Sequence, residues 1–596
     1  MEVDCSNNNS RAFFNEVKYT KRGFQPTPIG IKDRDGNLLT NEQAVRERWV
    51  EYFTQLFNSP LPNNPVAVGE ESEPVAGEED PPSRREVMDA IKELKNNKAP
   101  GDDMLPAELF KVGSGVLADE LHHLLIMVWN QETIPQSCND AVIAALHKKG
   151  DKELCSNHRG LSLLTTIYKL IAKIAYKRLI PYTEPILGEY QAGFRSNRST
   201  SDQIFTLRQV LEKRWEFAQS SHLLFIDFKQ AYDCLHRDSL WAILSSFGIP
   251  TKLVKIIQAL YTDTTSRVRV KGAYSTPFPI LSGVRQGCLL SPCLFNLALE
   301  WVIRQLRTED SGVRVGRLTL SILAYADDVV LLSDNMTQLE QTFETFTREA
   351  EKIGLTINAD KTKIMHAERG LQHQEGYEVI AGYTLERVEN FVYLGSLLTP
   401  NNDIKSEIDR RISAATRAFY ALNSLFKSRL LSRKTKLRLL STVVLPVLTY
   451  GAETWSLTET LQQRLISFEN GLLKTICGPV YDADLGIWRR RYAREVRVLT
   501  QQPTVTNLIR SARLRWLGHV LRASPERHIR RVFEEVMVGR RPVGRPRTRW
   551  KDVVVADLEL LEVNPEEMVE LARVRRTWRR IVVAAKDLNR PIAPGE

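Results

Sequence analysis

Hydrophobic positions recur at helical spacing near the start of the chain. In residues 41–58, NEQAVRERWVEYFTQLFN, apolar side chains return every three or four positions, which is the pattern of a helix with one buried face. These positions are Ala44, Val45, Trp49, Tyr52, Phe53 and Leu56. Further on, Ser83 and Glu86 have the spacing of a capping box and predict a helix start. We therefore predict an N-terminal helical segment over residues 1–58 and a new helix after residue 83.

Periodicity and composition divide the rest of the chain. Residues 59–84 are rich in Pro, Gly and Glu without periodicity, which is typical of a flexible acidic linker. The part from about residue 107 to 220 has mostly helical patterning, with a basic loop at HKKGDK. Residues 221–401 contain short β-branched and aromatic runs, such as SHLLFIDF and LTLSILAYADDVVLLS, with helical segments between them. Beyond residue 402 the pattern is helical again, so the sequence predicts a mixed α/β core between helical regions.

Three carboxylates stand at the ends of predicted strands. Asp327 and Asp328 lie between two apolar runs, which predicts a hairpin with both acids at its tight turn. Asp227 directly follows the apolar run Leu223 to Ile226. Like charges this close repel, and three carboxylates on neighbouring strands can hold two Mg²⁺ ions, as phosphoryl transfer requires. Taken separately, a polar turn and a helix cap are the alternatives for the Asp pair and for Asp227.

Composition narrows the class of protein. The 596 residues are 43% hydrophobic and 26% charged, as in ordinary globular proteins. The seven cysteines are scattered, which argues against a disulfide-bonded secreted scaffold. The sequence has no signal peptide and no apolar run of about 18 residues, so we expect a soluble, intracellular protein without choosing between nucleus and cytoplasm. A net charge of +10 favours polyanionic partners.

Several motifs resemble those of one polymerase family. FIDFKQAYD, LSGVRQGCLLSPCLFNLALE and LAYADDVVLLS, in this order, resemble motifs A, B and C of reverse transcriptases, and more narrowly those of non-LTR, LINE-type retrotransposons. KAPGDDMLPAELFK and the segments at 147–174 and 191–205 resemble the family's fingers motifs, and GLTINADKTKIM and FVYLGSLLT resemble motifs D and E. The resemblance covers roughly residues 85–400 and extends more loosely, through TYGAETW, RLRWLGHVLR and GRPRTRW, to about residue 580.

This resemblance implies a fold and a function. The fold is an α/β (α+β) right-hand polymerase with an antiparallel palm sheet, helical fingers and thumb, and an Arg/Trp-rich helical C-terminal region. We place the fingers at residues 85–220, the palm at 221–401, the thumb at 402–475 and the basic C-terminal region at 476–596, with the reverse transcriptase domain at about 125–400. The implied activity is an RNA-directed DNA polymerase that uses two Mg²⁺ ions, an RNA template, a DNA primer and dNTPs.

Two alternatives accompany this implied function. One is a catalytically inactive, polymerase-derived relic that still binds nucleic acid. The other is an RNA-dependent RNA polymerase, which shares the carboxylate geometry. Since few residues precede the fingers, we also expect no endonuclease domain in this polypeptide.

The resemblance assigns the metal ligands and a sugar gate. Asp227, Asp327 and Asp328 match the family's catalytic, metal-binding carboxylates, and the backbone carbonyl of Phe228 matches a further ligand. Tyr232 matches the bulky residue that closes on the sugar and excludes ribonucleotides. For Tyr232 the alternative is an ordinary core aromatic.

The resemblance also assigns nucleotide contacts. Gln286 matches the family residue that contacts the incoming nucleotide. Lys148 or Lys149, together with Arg159, matches the triphosphate contacts, and Lys361 matches a group that protonates the leaving pyrophosphate. For each cation taken alone, a solvated surface residue is the alternative.

A basic segment near the C-terminus is a further candidate. Residues 539–551, GRRPVGRPRTRWK, contain five arginines and one lysine without an acid. Gly and Pro exclude a helix here, and the charge suits a nucleic-acid backbone or a narrow minor groove, with a solvated loop as the alternative. The candidate contacts are Arg540, Arg541, Arg545, Arg547 and Arg549. For Trp516, Trp550 and Trp578, which recur at helical spacing with leucines, we expect positions in the core, with base stacking as the alternative.

One motif departs from the family pattern. The family's Pro-Gly-Pro-Asp-Gly is replaced by Pro100-Gly101-Asp102-Asp103-Met104. Since a residue with a Cβ tolerates positive φ poorly, we expect strain at Met104. Asp102 and Asp103 lie in a polar loop without flanking strands, so we do not expect a second metal site there.

Overall fold

The computed structural model describes residues 1–7, 9–22, 30–67, 79–113, 115–306, 311–370, 376–544 and 547–588. Its N-terminal elements are α1 (Glu2–Ser6), α2 (Ser10–Arg22), β1 (Ile31–Lys32), β2 (Leu38–Leu39) and α3 (Glu42–Phe57). Helix α3 confirms the predicted pattern, because Val45, Trp49, Phe53 and Leu56 are buried. Of the predicted acidic linker, residues 68–78 lie outside the described residues.

Helices and a strand pair occupy the region after residue 79. The elements are α4 (Arg84–Lys92), α5 (Ala107–Val112), α6 (Val116–Gln131), α7 (Gln136–Asn139), β3 (Ala141–His147), β4 (His158–Leu163), α8 (Thr166–Ile186) and α9 (Thr200–Glu216), with a 3₁₀ turn at Cys155–Asn157. The capping box of Ser83 and Glu86 is confirmed at the start of α4. The helical interpretation is wrong at β3 and β4, which pair antiparallel with each other.

The turn after Gly101 has the strained backbone that the sequence predicts. Met104 adopts φ +56°, in the left-handed region that favours glycine. Gly101 lies against the backbone of Thr165. A Cβ added at Gly101 would come within 2.6 Å of the Thr165 nitrogen. The expected strain at Met104 is therefore confirmed.

Most strands of the chain lie between residues 221 and 401. The elements are β5 (Ser221–Ile226), α10 (Ala231–Cys234), α11 (Arg237–Ser246), α12 (Thr251–Ala259), β6 (Thr265–Val270), β7 (Ala273–Tyr274), β8 (Phe278–Pro279), α13 (Ser291–Arg304), β9 (Val313–Val315), β10 (Leu318–Leu320), β11 (Ile322–Tyr325), β12 (Asp328–Ser333), α14 (Met336–Glu351), β13 (Lys363–Ala367), β14 (Gly376–Ile380), β15 (Tyr383–Arg387), β16 (Phe391–Tyr393) and β17 (Ser396–Leu398).

These strands form a large sheet and a smaller one. The large sheet has the order β11-β12-β5-β13-β15-β14. Its neighbours run antiparallel except β13 and β15, which are parallel, so the expectation of a purely antiparallel sheet is wrong at this pair. The smaller sheet has the order β4-β3-β6-β7, with β8 also paired to β6. It therefore joins strands from the predicted fingers and the predicted palm.

The described residues after 402 are mostly helical, as predicted. The elements are α15 (Ile404–Tyr420), α16 (Asn423–Lys427), α17 (Arg433–Leu439), a π-helical turn (Leu440–Val444), α18 (Leu445–Leu448), α19 (Glu459–Cys477), β18 (Val480–Asp482), β19 (Ile487–Arg489), α20 (Ala493–Thr500), α21 (Val505–Arg522), α22 (His528–Glu534), α23 (Trp550–Glu559), α24 (Met568–Arg573) and α25 (Arg575–Asp587), with 3₁₀ turns at Ala452–Thr454 and Pro565–Glu567. None of the helices within the described ranges combines the length and apolar composition needed to cross a membrane.

Strands β5, β11, β12 and β13 of the large sheet are buried on both faces, and their alternate residues point to opposite sides. Leu224 and Ile226 of β5 join a core with α8, α11, α13 and α14. Leu223 and Phe225 point the other way and join a core with α9 and helices α21 to α25. The C-terminal helices, together with α9, thus share a core with one face of β5, β11, β12 and β13, whereas Tyr377 and Val379 on β14 are exposed. Trp516, Trp550 and Trp578 are buried in that layer, as predicted.

Candidate active site

The predicted hairpin presents its acids at one end of the large sheet. Strands β11 and β12 pair with Tyr325 opposite Asp328, which leaves Ala326 and Asp327 as a two-residue turn. Strand β12 also pairs with β5, with Val329 opposite Ile226. Asp227 follows Ile226 and Asp328 precedes Val329, so these acids occupy matching ends of neighbouring strands. The hairpin prediction is confirmed.

The turn is held in place by a segment far away in sequence. Ala326 adopts φ +57°, and its N–H donates to Oε1 of Gln191 at 2.9 Å. The N–H of Gly193 donates to the same oxygen at 2.8 Å. Gly193 lies so close that a Cβ there would come within 2.3 Å of the Ala326 nitrogen. The sequence motif QAGF contained this signal, but Gln191 and Gly193 were not among the predicted site residues.

The carboxylates repel one another. Burial and then the charges of Asp327 and Asp227 raise the pKa of Asp328 to about 6. Burial, with a contribution from Asp227, also raises the pKa of Asp327, which Arg159 partly offsets. Both Asp side chains nevertheless open to solvent. The site therefore disfavours the ionised carboxylates of Asp327 and Asp328, although it is open to solvent. A cation bound there would relieve their repulsion.

Asp227 has protein partners of its own. Its Oδ2 accepts hydrogen bonds from Nδ2 of Asn358 at 3.1 Å and from Nζ of Lys361 at 3.2 Å. Among the described residues, no three acidic, histidine or cysteine side chains converge tightly enough to hold one metal ion. The ammonium group of Lys361, through its bond to Asp227, occupies a position in which a metal cation could neutralise the same carboxylate. The donor set of hard carboxylate oxygens fits a divalent cation such as Mg²⁺.

The backbone carbonyl of Phe228 points away from the neighbouring segment that contains Ile357. Phe228 forms an antiparallel bridge with Ile357. The flanking residues make the hydrogen bonds of this bridge, from Asn358 N–H to the Asp227 carbonyl and from Lys229 N–H to the Thr356 carbonyl. The carbonyl of Phe228 therefore points to the opposite side of the strand.

Tyr232 lies on the short helix α10 beside the acids. Its ring stacks on that of Phe295, with centroids 4.6 Å apart. Its hydroxyl is buried and has no hydrogen-bond partner among the described residues. Burial, and then the charges of Asp327 and Asp328, raise the pKa of the hydroxyl. Tyr232 is therefore a packed aromatic that also borders the carboxylate site.

Gln286 is held by an acid that sequence reasoning missed. Its Nε2 donates to both carboxylate oxygens of Asp233, and its backbone carbonyl accepts from Ser162 N–H at 3.0 Å. Asp233 is only 6% exposed. Burial raises its pKa to about 6, against the hydrogen bond from Gln286 and the charges of Lys148 and Arg159. The motif FIDFKQAYD contained Asp233, but nothing local indicated its partner.

The candidate cations lie near one another. Lys148 follows β3, and Arg159 lies on β4 opposite Leu146. Burial, then the charges of Arg159 and Lys361, lower the pKa of Lys148, whereas Asp233 and Asp227 raise it. The side chains of Lys148, Lys149 and Arg159 are exposed. The structure therefore brings Lys148, Arg159 and Lys361 together beside the carboxylates.

The basic segment is docked on the protein rather than extended. Arg541 and Arg549 both contact Oε1 of Glu216, at 3.0 and 2.6 Å. Arg547 donates to the carbonyl of Asn401 at 2.8 Å. Arg540 is exposed, and Arg545 lies outside the described residues. A nucleic-acid contact through this segment stays a prediction, and three of its arginines already have protein partners.

The comparisons with known proteins agree on one domain. Residues 146–398 match the family model described as reverse transcriptase (RNA-dependent DNA polymerase). A transposon TX1 protein of Xenopus laevis is 29% identical over 61% of this chain and 28% of its own length. The type-1 retrotransposable element R2 polyprotein of Popillia japonica is 27% identical over 63% of this chain and 52% of its own length.

A further relative bears the name of the activity. The RNA-directed DNA polymerase from mobile element jockey of Drosophila funebris is 25% identical over 67% of this chain and 44% of its own length. The chain thus spans about half or less of each of these three curated relatives.

Proposed function

We propose that the reverse transcriptase domain carried by residues 146–398 makes this chain an RNA-directed DNA polymerase of a non-LTR retrotransposon. The observation that supports this most is the placement of Asp227 and Asp328 at matching ends of β5 and β12, with Asp327 in the adjoining turn. The partners are an RNA template, a DNA primer and dNTPs. An inactive nucleic-acid-binding relic is not favoured, because residues 146–398 match the reverse transcriptase model and contain Asp227, Asp327 and Asp328.

The proposed right-hand arrangement follows from the two sheets. The large sheet with β5, β11 and β12 is the palm. The smaller sheet, with the helices between residues 85 and 220, forms the fingers, and helices α15 to α19 form the thumb. In this arrangement Lys148, directly after β3, and Arg159, on β4, face the palm acids across the nucleotide site.

A reverse transcriptase domain implies dependence on a divalent cation, and we propose two Mg²⁺ ions. Asp227, Asp327, Asp328 and the carbonyl of Phe228 would hold them. Bound there, the cations would acidify the primer 3′-hydroxyl and stabilise charge on the transferred phosphate. The chain itself positions the acids through the Gln191 bonds to the turn and through Asn358 at Asp227.

The remaining site residues suit a deoxynucleoside triphosphate. Lys148, in preference to Lys149, and Arg159 neutralise the triphosphate, since both lie within electrostatic reach of Asp233. Gln286 contacts the nucleotide, and the ring of Tyr232, fixed against Phe295, limits the space at the sugar. Lys361 contacts Asp227 and would be released toward the pyrophosphate when cations bind.

Primer extension tests the proposal. The full chain is supplied with poly(rA)/oligo(dT), dTTP and Mg²⁺, and the same assay is run on Asp327→Asn. We expect extension by the wild type and a loss of at least about a thousandfold in the variant, since charge stabilisation at a phosphoryl-transfer site contributes several kcal/mol. Asp102→Asn, which changes an acid in the loop before Met104, is the matched control and should extend normally. Equal extension by the wild type and Asp327→Asn would contradict the site, and a folded wild type that binds primer–template without extending it would favour the inactive relic.

A further inference from the structure

A β-hairpin beyond α19 exposes a pair of aromatic rings. Strands β18 and β19 pair with Tyr481 directly opposite Trp488, so both side chains lie on one face of the hairpin. Their ring centroids are 5.6 Å apart at an interplanar angle of 62°. Trp488 is 70% exposed and Tyr481 is 53% exposed. Two adjacent exposed rings form an apolar patch, and such patches mark contact surfaces.

The hairpin is stiffened from its other face. Arg489 donates to Asp482 at 2.6 Å across the hairpin and to both carboxylate oxygens of Glu495 on α20. Its guanidinium also lies 4.4 Å from the ring centre of Tyr492. These bonds lower the pKa of Glu495 to about 2, so the ion pair between Arg489 and Glu495 persists over the physiological pH range. The ring pair is therefore presented on a preorganised support, which lowers the entropic cost of binding.

The charge around the rings is positive. Arg490, Arg491 and Arg494 directly follow the hairpin, and within the described ranges none of them lies within ion-pair distance of an acid. Asp482 on β18 and Glu495 on α20 are already paired with Arg489. Asp484 in the turn is the remaining acid of the hairpin. Exposed rings among unneutralised arginines match the stacking and phosphate contacts of single-stranded nucleic acid.

The basic surface extends beyond the hairpin. Arg491 and Arg433, the first residue of α17, both act electrostatically on the thiol of Cys477 at the end of α19. Arg433 and the neighbouring Lys434 are exposed. The cations thus continue from the hairpin onto the adjacent helix, which gives a strand more than one phosphate contact.

We propose that the aromatic hairpin, residues 480–494, binds single-stranded nucleic acid by stacking bases on Trp488 and Tyr481 while the following arginines contact phosphates. The proposal rests on the proposed function only for the expectation that such a strand is present. It adds a binding surface that lies outside residues 146–398 and uses none of the catalytic acids.

Fluorescence anisotropy of the full chain with labelled 20-nucleotide oligo(dT) and oligo(rU) tests this surface. Since one stacked base contributes on the order of 1–3 kcal/mol, Trp488→Ala should weaken Kd by about tenfold. The matched control is Tyr377→Ala, because Tyr377 is a 74% exposed ring on strand β14 of another hairpin. Arg490→Gln with Arg494→Gln should reduce the salt slope by about 0.7 per arginine. A difference between the two oligonucleotides would identify the favoured strand.

Photocrosslinking gives a readout that does not depend on other binding surfaces. Oligo(rU) containing 4-thiouridine should crosslink within residues 480–494, as mapped by mass spectrometry of the digested chain. Unchanged Kd in Trp488→Ala without such a crosslink would overturn the proposal. So would a change of sedimentation in Trp488→Ala at unaltered oligonucleotide affinity, which would make the hairpin a contact between proteins. Failure of primer extension leaves this measurement intact, because neither readout requires nucleotide addition.

Discussion

The side-chain amide of Gln286 is oriented by Asp233, whose two carboxylate oxygens accept from Nε2 at 2.7 and 2.9 Å. A carboxylate only accepts hydrogen bonds, so the amide nitrogen must face Asp233 and Oε1 must point away from it. The acceptor of Gln286 is thereby fixed before any nucleotide arrives. With the proposed contact between Gln286 and the nucleotide, Asp233 would be a positioning residue, since it acts through Gln286.

We expect Asp233→Asn to raise KM for dTTP by about tenfold while kcat changes less. An asparagine can present its own N–H to Gln286, so the amide is no longer held in one orientation, which costs a hydrogen bond to a charged group. In the wild type KM should also rise as the pH falls through 6, where Asp233 is protonated, and in the variant this rise should be absent. Steady-state extension from pH 5.5 to 8 measures both. Asp238→Asn, an 87% exposed acid on α11, is the control, and a pH profile shared by the wild type and Asp233→Asn would contradict the assignment.

The same variant should be more stable than the wild type above pH 6. Burial raises the pKa of Asp233 from 3.8 to about 6 in the folded chain. The protonated acid therefore stabilises the fold below about pH 4, and this contribution is lost as the pH rises through 6. Asparagine does not ionise, so Asp233→Asn does not lose this stabilisation as the pH rises. Its free energy of unfolding should exceed that of the wild type by on the order of 2 kcal/mol at pH 8, and the difference should vanish near pH 4. Thermal unfolding at several pH values checks this, and a variant less stable at pH 8 would show that the ionised carboxylate stabilises the fold.

Lys361 forms an ion pair with Asp227, a proposed Mg²⁺ ligand, so Lys361→Gln should lower the Mg²⁺ concentration needed for half-maximal extension. The Lys361–Asp227 pair is exposed to solvent, and such pairs contribute up to about 1 kcal/mol, which limits the decrease to about fivefold. If Lys361 also protonates pyrophosphate, kcat should fall in the same variant. A Mg²⁺ titration at saturating dTTP separates the two effects. A higher Mg²⁺ requirement would mean that Lys361 helps to form the site.

Tyr232→Ala should admit ribonucleotides, because it removes the ring that is packed on Phe295 beside the acids. Tyr232→Phe should retain discrimination, since the ring remains and the hydroxyl has no partner among the described residues. Competition between dTTP and UTP on the same primer–template measures the ratio. Sugar selectivity that survives in Tyr232→Ala would leave Tyr232 as a core aromatic only.

Met104→Gly should be more stable than Met104→Ala by about 1 kcal/mol. Both variants lose a side chain that is 62% exposed, but only glycine relieves the positive φ of +56°. The cost of a left-handed backbone is about 1–2 kcal/mol, and the greater freedom of glycine in the unfolded chain offsets part of it. Urea unfolding of the two variants provides the comparison. Equal stability would show that the turn accommodates a Cβ without strain.

Features that depend on residues close together in the chain were predicted correctly from the sequence. The hairpin acids, the capping box at Ser83 and the helix α3 follow from spacing over a few residues. The strands β3 and β4 did not, because the alanine-containing run at 141–147 suits a helix and becomes a strand through pairing with β4 and with the distant β6. Likewise Asp233 and Gln191 were missed since their partners, Gln286 and Ala326, are distant in sequence and only the fold brings them together.

The packing of the C-terminal helices on α9 has a practical consequence for where the protein can be cut. A fragment trimmed to the residues that match the family model would end near Leu398 and leave the outer side of α9 facing water, since Trp516 and Trp550, which pack on Phe205, lie beyond residue 505. The segment that matches the family model is therefore shorter than the segment whose apolar surfaces are covered in the folded chain. An expression boundary chosen from alignment alone would expose this apolar surface and favour aggregation, whereas one drawn after α25 would keep it covered.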